Sequence, residues 1–205
     1  MKMKLYCNET SPYARKVRVV AIELGLSDLI EGVHCDPFSA PPELLAANPL
    51  SRVPTLITEK GESLPDSALI IEYLQTRGRG LTALPRGSKR WSSLRRAYLA
   101  DGAIAAAVAT VVEQRRPEGI RHVSFMDRQA DVIRRAIAVL DLEAAELSTE
   151  APSIVEITTG IALAYLDLRM PYIEWRKGHE VLERWFDVFS QRDSMLATAP
   201  PLTSK

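Results

Sequence analysis

Thr10-Ser11-Pro12-Tyr13-Ala14-Arg15-Lys16-Val17-Arg18 stands where a strand gives way to a helix. Upstream, Lys2 to Cys7 reads as a short strand that stops at the polar run Asn8-Glu9-Thr10. Downstream, Val17, Val20, Ala21 and Leu24 recur at helical spacing from Pro12 to Leu24, and Gly25 supplies a stop. Proline suits the first helical position, because the N–H it lacks would have been unpaired and its φ is already helical. Ser11 is therefore the N-cap. Its hydroxyl either only caps the helix or also belongs to an anion site, since a helix N-terminus offers unpaired amides and the positive end of a dipole.

Outward from this unit, Leu29 to His34 is a second strand, followed by the proline-rich Pro37 to Pro42 and a short helix over Glu43 to Ala47. Val53-Pro54-Thr55-Leu56-Ile57-Thr58 reads as a loop entering a third strand, and Lys60-Gly61-Glu62 turns into a fourth around Ser63-Leu64. Asp66 or Ser67 caps the next helix, expected to bury Leu69, Ile70, Tyr73 and Leu74. The order is βαβαββα. Gly, Arg, Thr and Pro then dominate up to Lys89, as in a linker, so the reading is one domain over residues 1–76, a linker over 77–89 and a second domain over 90–205.

The second domain reads as all-helical. Trp91 to about Arg116 and Phe125 to Leu147 are two long helices, the latter carrying Met126, Ile133, Ile137, Leu140 and Leu147. Pro152-Ser153-Ile154-Val155-Glu156-Ile157 is a capping box opening a helix with Ile154, Ile157, Ile161, Tyr165 and Leu168. Leu182, Trp185, Phe186 and Phe189 mark the last helix.

Lys and Arg total 26 against 26 Asp and Glu, so no global field favours nucleic acid or an anionic membrane. No apolar run reaches the length of a membrane helix, and the first residues have no signal-peptide core. The two cysteines, Cys7 and Cys35, have neither redox-pair nor metal-ligand spacing, and His34, His122 and His179 are solitary. These features predict a cytoplasmic protein without a metal. Cys7 ends the first strand away from the helix start that would lower a thiol pKa, so it and Cys35 read as structural.

Two further stretches matter. Asn48-Pro49-Leu50-Ser51-Arg52-Val53-Pro54-Thr55-Leu56 sets a proline directly before a strand. Read alone, Pro54 is a trans loop proline, the commoner state, or a cis proline that turns the Val53 N–H and C=O toward a ligand. Leu64-Pro65-Asp66-Ser67-Ala68-Leu69-Ile70-Ile71-Glu72-Tyr73-Leu74, read alone, is a capped helix.

In this order and spacing, with the Pro152 to Asp167 segment, these stretches resemble the cytosolic glutathione transferase superfamily in its bacterial, serine-type form. Glu156 stands where the family usually has Asp, which keeps the cap chemistry. The resemblance implies a thioredoxin-like α/β domain plus an all-α bundle, with glutathione as cosubstrate and a small hydrophobic electrophile as its acceptor. Ser11 matches the residue that donates to the glutathione sulfur, with Thr10 the second choice and Asn8 the third. Val53 matches the residue pairing with the cysteinyl backbone, and Pro54 the cis-proline. Asp66 and Ser67 match the pair receiving the γ-glutamyl group, Arg52 is the candidate for the glycyl carboxylate, and Tyr13 and Tyr98 for the acceptor pocket. Asp101 matches a region that can reach glutathione across a dimer interface, or is a local cap or salt bridge. A homodimer is expected on the same ground.

Two alternatives stay open: a non-catalytic glutathione-transferase-like scaffold, and a glutathione-dependent peroxidase, dehalogenase or isomerase on the same fold. Serine does not separate conjugation from the latter reactions, because each starts from the same thiolate.

Overall fold

Met3 and Leu5, alternate residues of β1 (Met3–Cys7), are buried and give the strand its inward face. β2 (Ile30–His34) lies parallel to β1, while β3 (Thr55–Ile57) is antiparallel on its other side and β4 (Ser63–Pro65) antiparallel to β3. The sheet order is β2-β1-β3-β4. A parallel pair needs a crossover, supplied by α1 (Pro12–Glu23), which buries Val17, Val19, Val20 and Ala21. α2 (Pro42–Ala47) precedes β3, and α3 (Ser67–Gln75) follows β4 and packs on α1.

This computed structural model describes residues 2–201. It divides into two units, one reaching to Leu81 and taking back the chain from Arg192 on, the other spanning Thr82–Gln191. The first is the thioredoxin-like α/β unit and the second is helical, giving the fold class expected from sequence.

In the helical unit, α4 (Ser88–Gln114) buries Ile104 and also Ala97, Ala100, Ala103 and Ala107, small side chains that let α5 (Val123–Leu142) and α6 (Ile154–Arg169) pack closely on it. α6 is buried along most of its length, and α7 (Glu180–Phe189) turns Leu182, Trp185, Phe186 and Phe189 inward. The capping box is present: Ser153 Oγ accepts the Val155 amide at 3.1 Å while Glu156 accepts the Ser153 amide at 2.8 Å.

Some expectations need correction. Leu69 is 45% exposed and Tyr73 only half-buried, with Ile71 taking a core place. The second long helix stops at Leu142, and a 3₁₀ turn over Ala144–Glu146 carries the chain to Leu147. In the first unit, α8 (Asp193–Ala197) packs on α1.

That docking is polar as well as apolar. Arg192 clamps Glu23 with two bonds of 2.9 and 2.8 Å, and Ser194 Oγ adds a third at 2.5 Å. The buried Arg15 guanidinium donates to the Met195 carbonyl at 3.0 Å and to Thr198 Oγ1 at 3.3 Å. Burial, and secondarily the neighbouring Arg18 charge, lower the Arg15 pKa to about 10. Gly80 also presses on the end of α1: with φ at +142° and a notional Cβ 2.1 Å from the Glu23 carbonyl oxygen, the position admits only glycine.

Candidate functional site

The sheet register gathers the three sequence stretches. Tyr6 pairs with Thr55 and Thr55 with Pro65, so the exit of β1, the entry of β3 and the exit of β4 share one end of the sheet. Residues 8–11 leave from this end, Val53-Pro54 enters at it, and Asp66-Ser67 follow directly. Adjacent strands are about 4.8 Å apart, so the row from β1 to β4 spans roughly 10 Å, the reach of a short peptide. The N-termini of α1 and α3 open at the same end, which makes it electropositive at two points.

At the first point, Ser11 is the N-cap of α1. Its Oγ accepts the Ala14 amide at 3.2 Å, and its own amide is held by Asn8 Oδ1 at 2.7 Å. The hydroxyl proton is not used: among the described residues it meets no acceptor. Thr10 lies in the preceding turn, half-buried, without this cap geometry. Asn8, third in the sequence ranking, serves to fix Ser11.

At the centre, the Val53–Pro54 bond is cis. Pro54 is buried, and neither the amide nor the carbonyl of Val53 has a hydrogen-bond partner among the described residues. A half-buried peptide group in that state is an open place for another backbone. Asn48 holds the loop: buried, it donates to the Arg52 carbonyl at 3.3 Å and Thr55 Oγ1 at 3.0 Å, and accepts the Leu50 amide at 3.0 Å. The signal for this role in the sequence is the side-chain amide of Asn48 directly before Pro49, a turn-forming pair. The Arg52 side chain is exposed and makes no ion pair with a described residue.

At the second helix start, Asp66 caps α3 by accepting the Ala68 amide at 2.7 Å. It does so with φ at +71° and ψ at 140°, a region that is costly for a residue with a Cβ. Ser67 is buried as the first helical residue, and its hydroxyl has no partner among the described residues.

Tyr13 lies on α1, half-buried, with Lys16 Nζ 5.9 Å from its ring centroid. Tyr98 lies on α4 in the other unit and is 78% exposed, and Asp101 is one turn further along. Both cysteines are half-buried rather than buried. Burial raises the Cys7 thiol pKa, against the opposing charge of Arg18; burial first, then Cys7 and Asp36, raise that of Cys35. Neither is poised as a nucleophile. Among the described residues no group of three or more His, Cys, Asp and Glu could hold a metal ion. No described helix is long and apolar enough to cross a membrane.

Known proteins resemble this chain over most of its length. Residues 10–77 match the family model described as glutathione S-transferase, N-terminal domain, and residues 124–188 that of the C-terminal domain. The chain is 31% identical over 202 residues to the uncharacterized GST-like protein YibF of Escherichia coli (strain K12), covering 97% of this chain and 99% of that one. Among solved structures, a glutathione transferase family member from Pseudomonas fluorescens Pf-5 with bound glutathione is 39% identical, with TM-score 0.92 over 98% of this chain and 100% of that one. A glutathione S-transferase from Methylobacillus flagellatus KT with glutathione bound is 36% identical, with TM-score 0.83 over 97% and 100%. This chain belongs to the glutathione S-transferase family.

Proposed function

We propose that this chain is a glutathione S-transferase that binds glutathione across the open end of its sheet and uses Ser11 to hold the sulfur as a thiolate. The observation that carries the reading is the Ser11 hydroxyl, whose oxygen is taken by the Ala14 amide and whose proton is unspent. A donor at a helix N-terminus favours a sulfur anion over the thiol and raises the nucleophile fraction near neutral pH. The relatives with bound glutathione support the choice of cosubstrate.

In this reading the cysteinyl amide and carbonyl pair with the Val53 backbone. The γ-glutamyl carboxylate takes the Ser67 hydroxyl and the α3 amides, its ammonium faces Asp66, and Arg52 meets the glycyl carboxylate. The thiol proton leaves to solvent; the thiolate then attacks the electrophilic carbon of a small hydrophobic acceptor, forming an S–C bond while a leaving group departs with its electron pair or a proton is taken up by the adduct. Tyr13 and Tyr98 are assigned to the acceptor. The exposed Trp91 and Tyr98 on α4 support a homodimer, and the two free cysteines support a cytoplasmic setting.

The test is turnover against a panel of aryl halides, enones and peroxides, with glutathione binding measured separately by calorimetry. Conjugation lost in Ser11→Ala, with binding retained, supports the assignment. Unchanged turnover in Ser11→Ala with loss in Thr10→Ala would move the role to Thr10, and binding without turnover of any electrophile would favour the scaffold reading.

A further inference from the structure

We propose that Asn8 is the positioning residue of the sulfur site: by holding the Ser11 main chain it aims the Ser11 hydroxyl proton at the glutathione sulfur, a role that rests on the reading of Ser11 above. Asn8 follows β1 directly and opens the turn over residues 8–11 that leads into α1. In a common β-turn the amide of the fourth residue bonds to the main-chain carbonyl of the first. Here the Ser11 amide donates instead to the Asn8 side chain, with Oδ1 at 2.7 Å. Among the described residues the Asn8 side chain makes no other hydrogen bond.

That bond decides what the start of α1 has left to offer. A helix N-terminus ordinarily presents several unpaired amides to an anion. In this chain the Ser11 amide is taken by Asn8, and Pro12 has no N–H. The Ala14 amide is taken by Ser11 Oγ at 3.2 Å and the Arg15 amide by the Ser11 carbonyl at 2.9 Å. At Ser11 itself only the hydroxyl proton remains to give.

Asn8 holds Ser11 by its amide, and the Ala14 amide holds it by its hydroxyl oxygen. With both ends fixed, the proton swings only about the Cβ–Oγ bond. Loss of the Asn8 bond frees one end and spreads the directions in which the proton points. Asparagine suits the place in a further respect: aspartate offers the amide the same acceptor but adds a negative charge beside the sulfur anion.

The thiol pKa of bound glutathione, read by ultraviolet absorbance on the full chain at matched occupancy, tests this in a double-mutant cycle with Ser11→Ala. Asn8→Ala is expected to raise that pKa by about half a unit to one unit in the wild-type background. In Ser11→Ala it should change nothing, because the hydroxyl it acts through is gone. Asn8→Ser, whose hydroxyl closes the same turn more weakly, restores part of the difference. Asn8→Asp keeps the bond and the melting temperature but raises the pKa in both backgrounds, since its charge acts on the sulfur directly. A residue that only stabilises the turn would lower the melting temperature on Asn8→Ala and leave the thiol pKa in place. That result, or a rise from Asn8→Ala that persists without the Ser11 hydroxyl, would overturn the proposal. If Ser11→Ala alone fails to move the pKa, or wild type binds no glutathione, the reading of Ser11 itself falls and the role of Asn8 with it.

Discussion

The Ser11 side-chain oxygen accepts the amide of Ala14 at 3.2 Å, so the residue assigned to the sulfur is also the structural start of α1. Cap and donor use different parts of one hydroxyl: a lone pair for the helix, the proton for a ligand. Ser11→Ala therefore has two costs that can be measured apart. Loss of the cap is expected to lower stability by about 1 kcal/mol in urea unfolding, whereas Ser11→Thr stays near wild type.

Asp66 is expected to show the reverse separation. Asp66→Asn keeps an acceptor for the Ala68 amide and tolerates the positive φ, so the melting temperature should hold. Glutathione affinity, measured by calorimetry, should fall roughly tenfold or more, because the ammonium loses a charged acceptor worth about 1.5–3 kcal/mol.

Asn48→Ala tests the loop that presents Val53. It removes three hydrogen bonds from a buried position and leaves Thr55 and the Arg52 carbonyl with fewer partners. A loss of about 1–3 kcal/mol is expected on denaturation, with a rise in glutathione Kd that Ser11→Ala does not share.

The Glu23–Arg192 clamp makes a pH prediction. Burial pushes the Glu23 carboxyl up, but the bonds from Arg192 and Ser194 and the Arg192 charge together hold it below its ordinary 4.5. A depressed carboxylate contributes stability that is fully present above the unfolded value and lost as pH falls through the folded one. Unfolding followed from pH 6 downward should therefore show a decline beginning near pH 4.5 that is shallower in Glu23→Gln, the variant being the less stable protein at neutral pH.

How much of this could be read from the residues alone varies with the physics involved. The βαβαββα order and the Ser153 to Glu156 box were legible because periodicity and caps are local. Leu69-Ile70-Ile71 is apolar throughout, so pattern alone could not say that Leu69 faces out and Ile71 in. α8 is five residues long, too short for any helical period to register, and its return to α1 depends on bonds to Glu23 and Arg15 far away in sequence. The candidate site was legible as three motifs, but their convergence depends on the Tyr6–Thr55–Pro65 register. Asp66's positive φ, the partners of Asn48 and the Asn8 bond to the Ser11 amide are properties of folded backbone and packing, which no residue type announces.

The measurement that bears most directly on Ser11 is the pKa of the thiol of bound glutathione, followed by ultraviolet thiolate absorbance across pH in wild type and Ser11→Ala. A hydrogen bond to an anion of about 1.5–3 kcal/mol corresponds to about one to two pKa units. Wild type should hold the thiol well below the ordinary range of about 8.5, and Ser11→Ala should raise it by that amount with glutathione still bound. An equal thiol pKa in the two proteins, at matched occupancy, would contradict the assignment of Ser11.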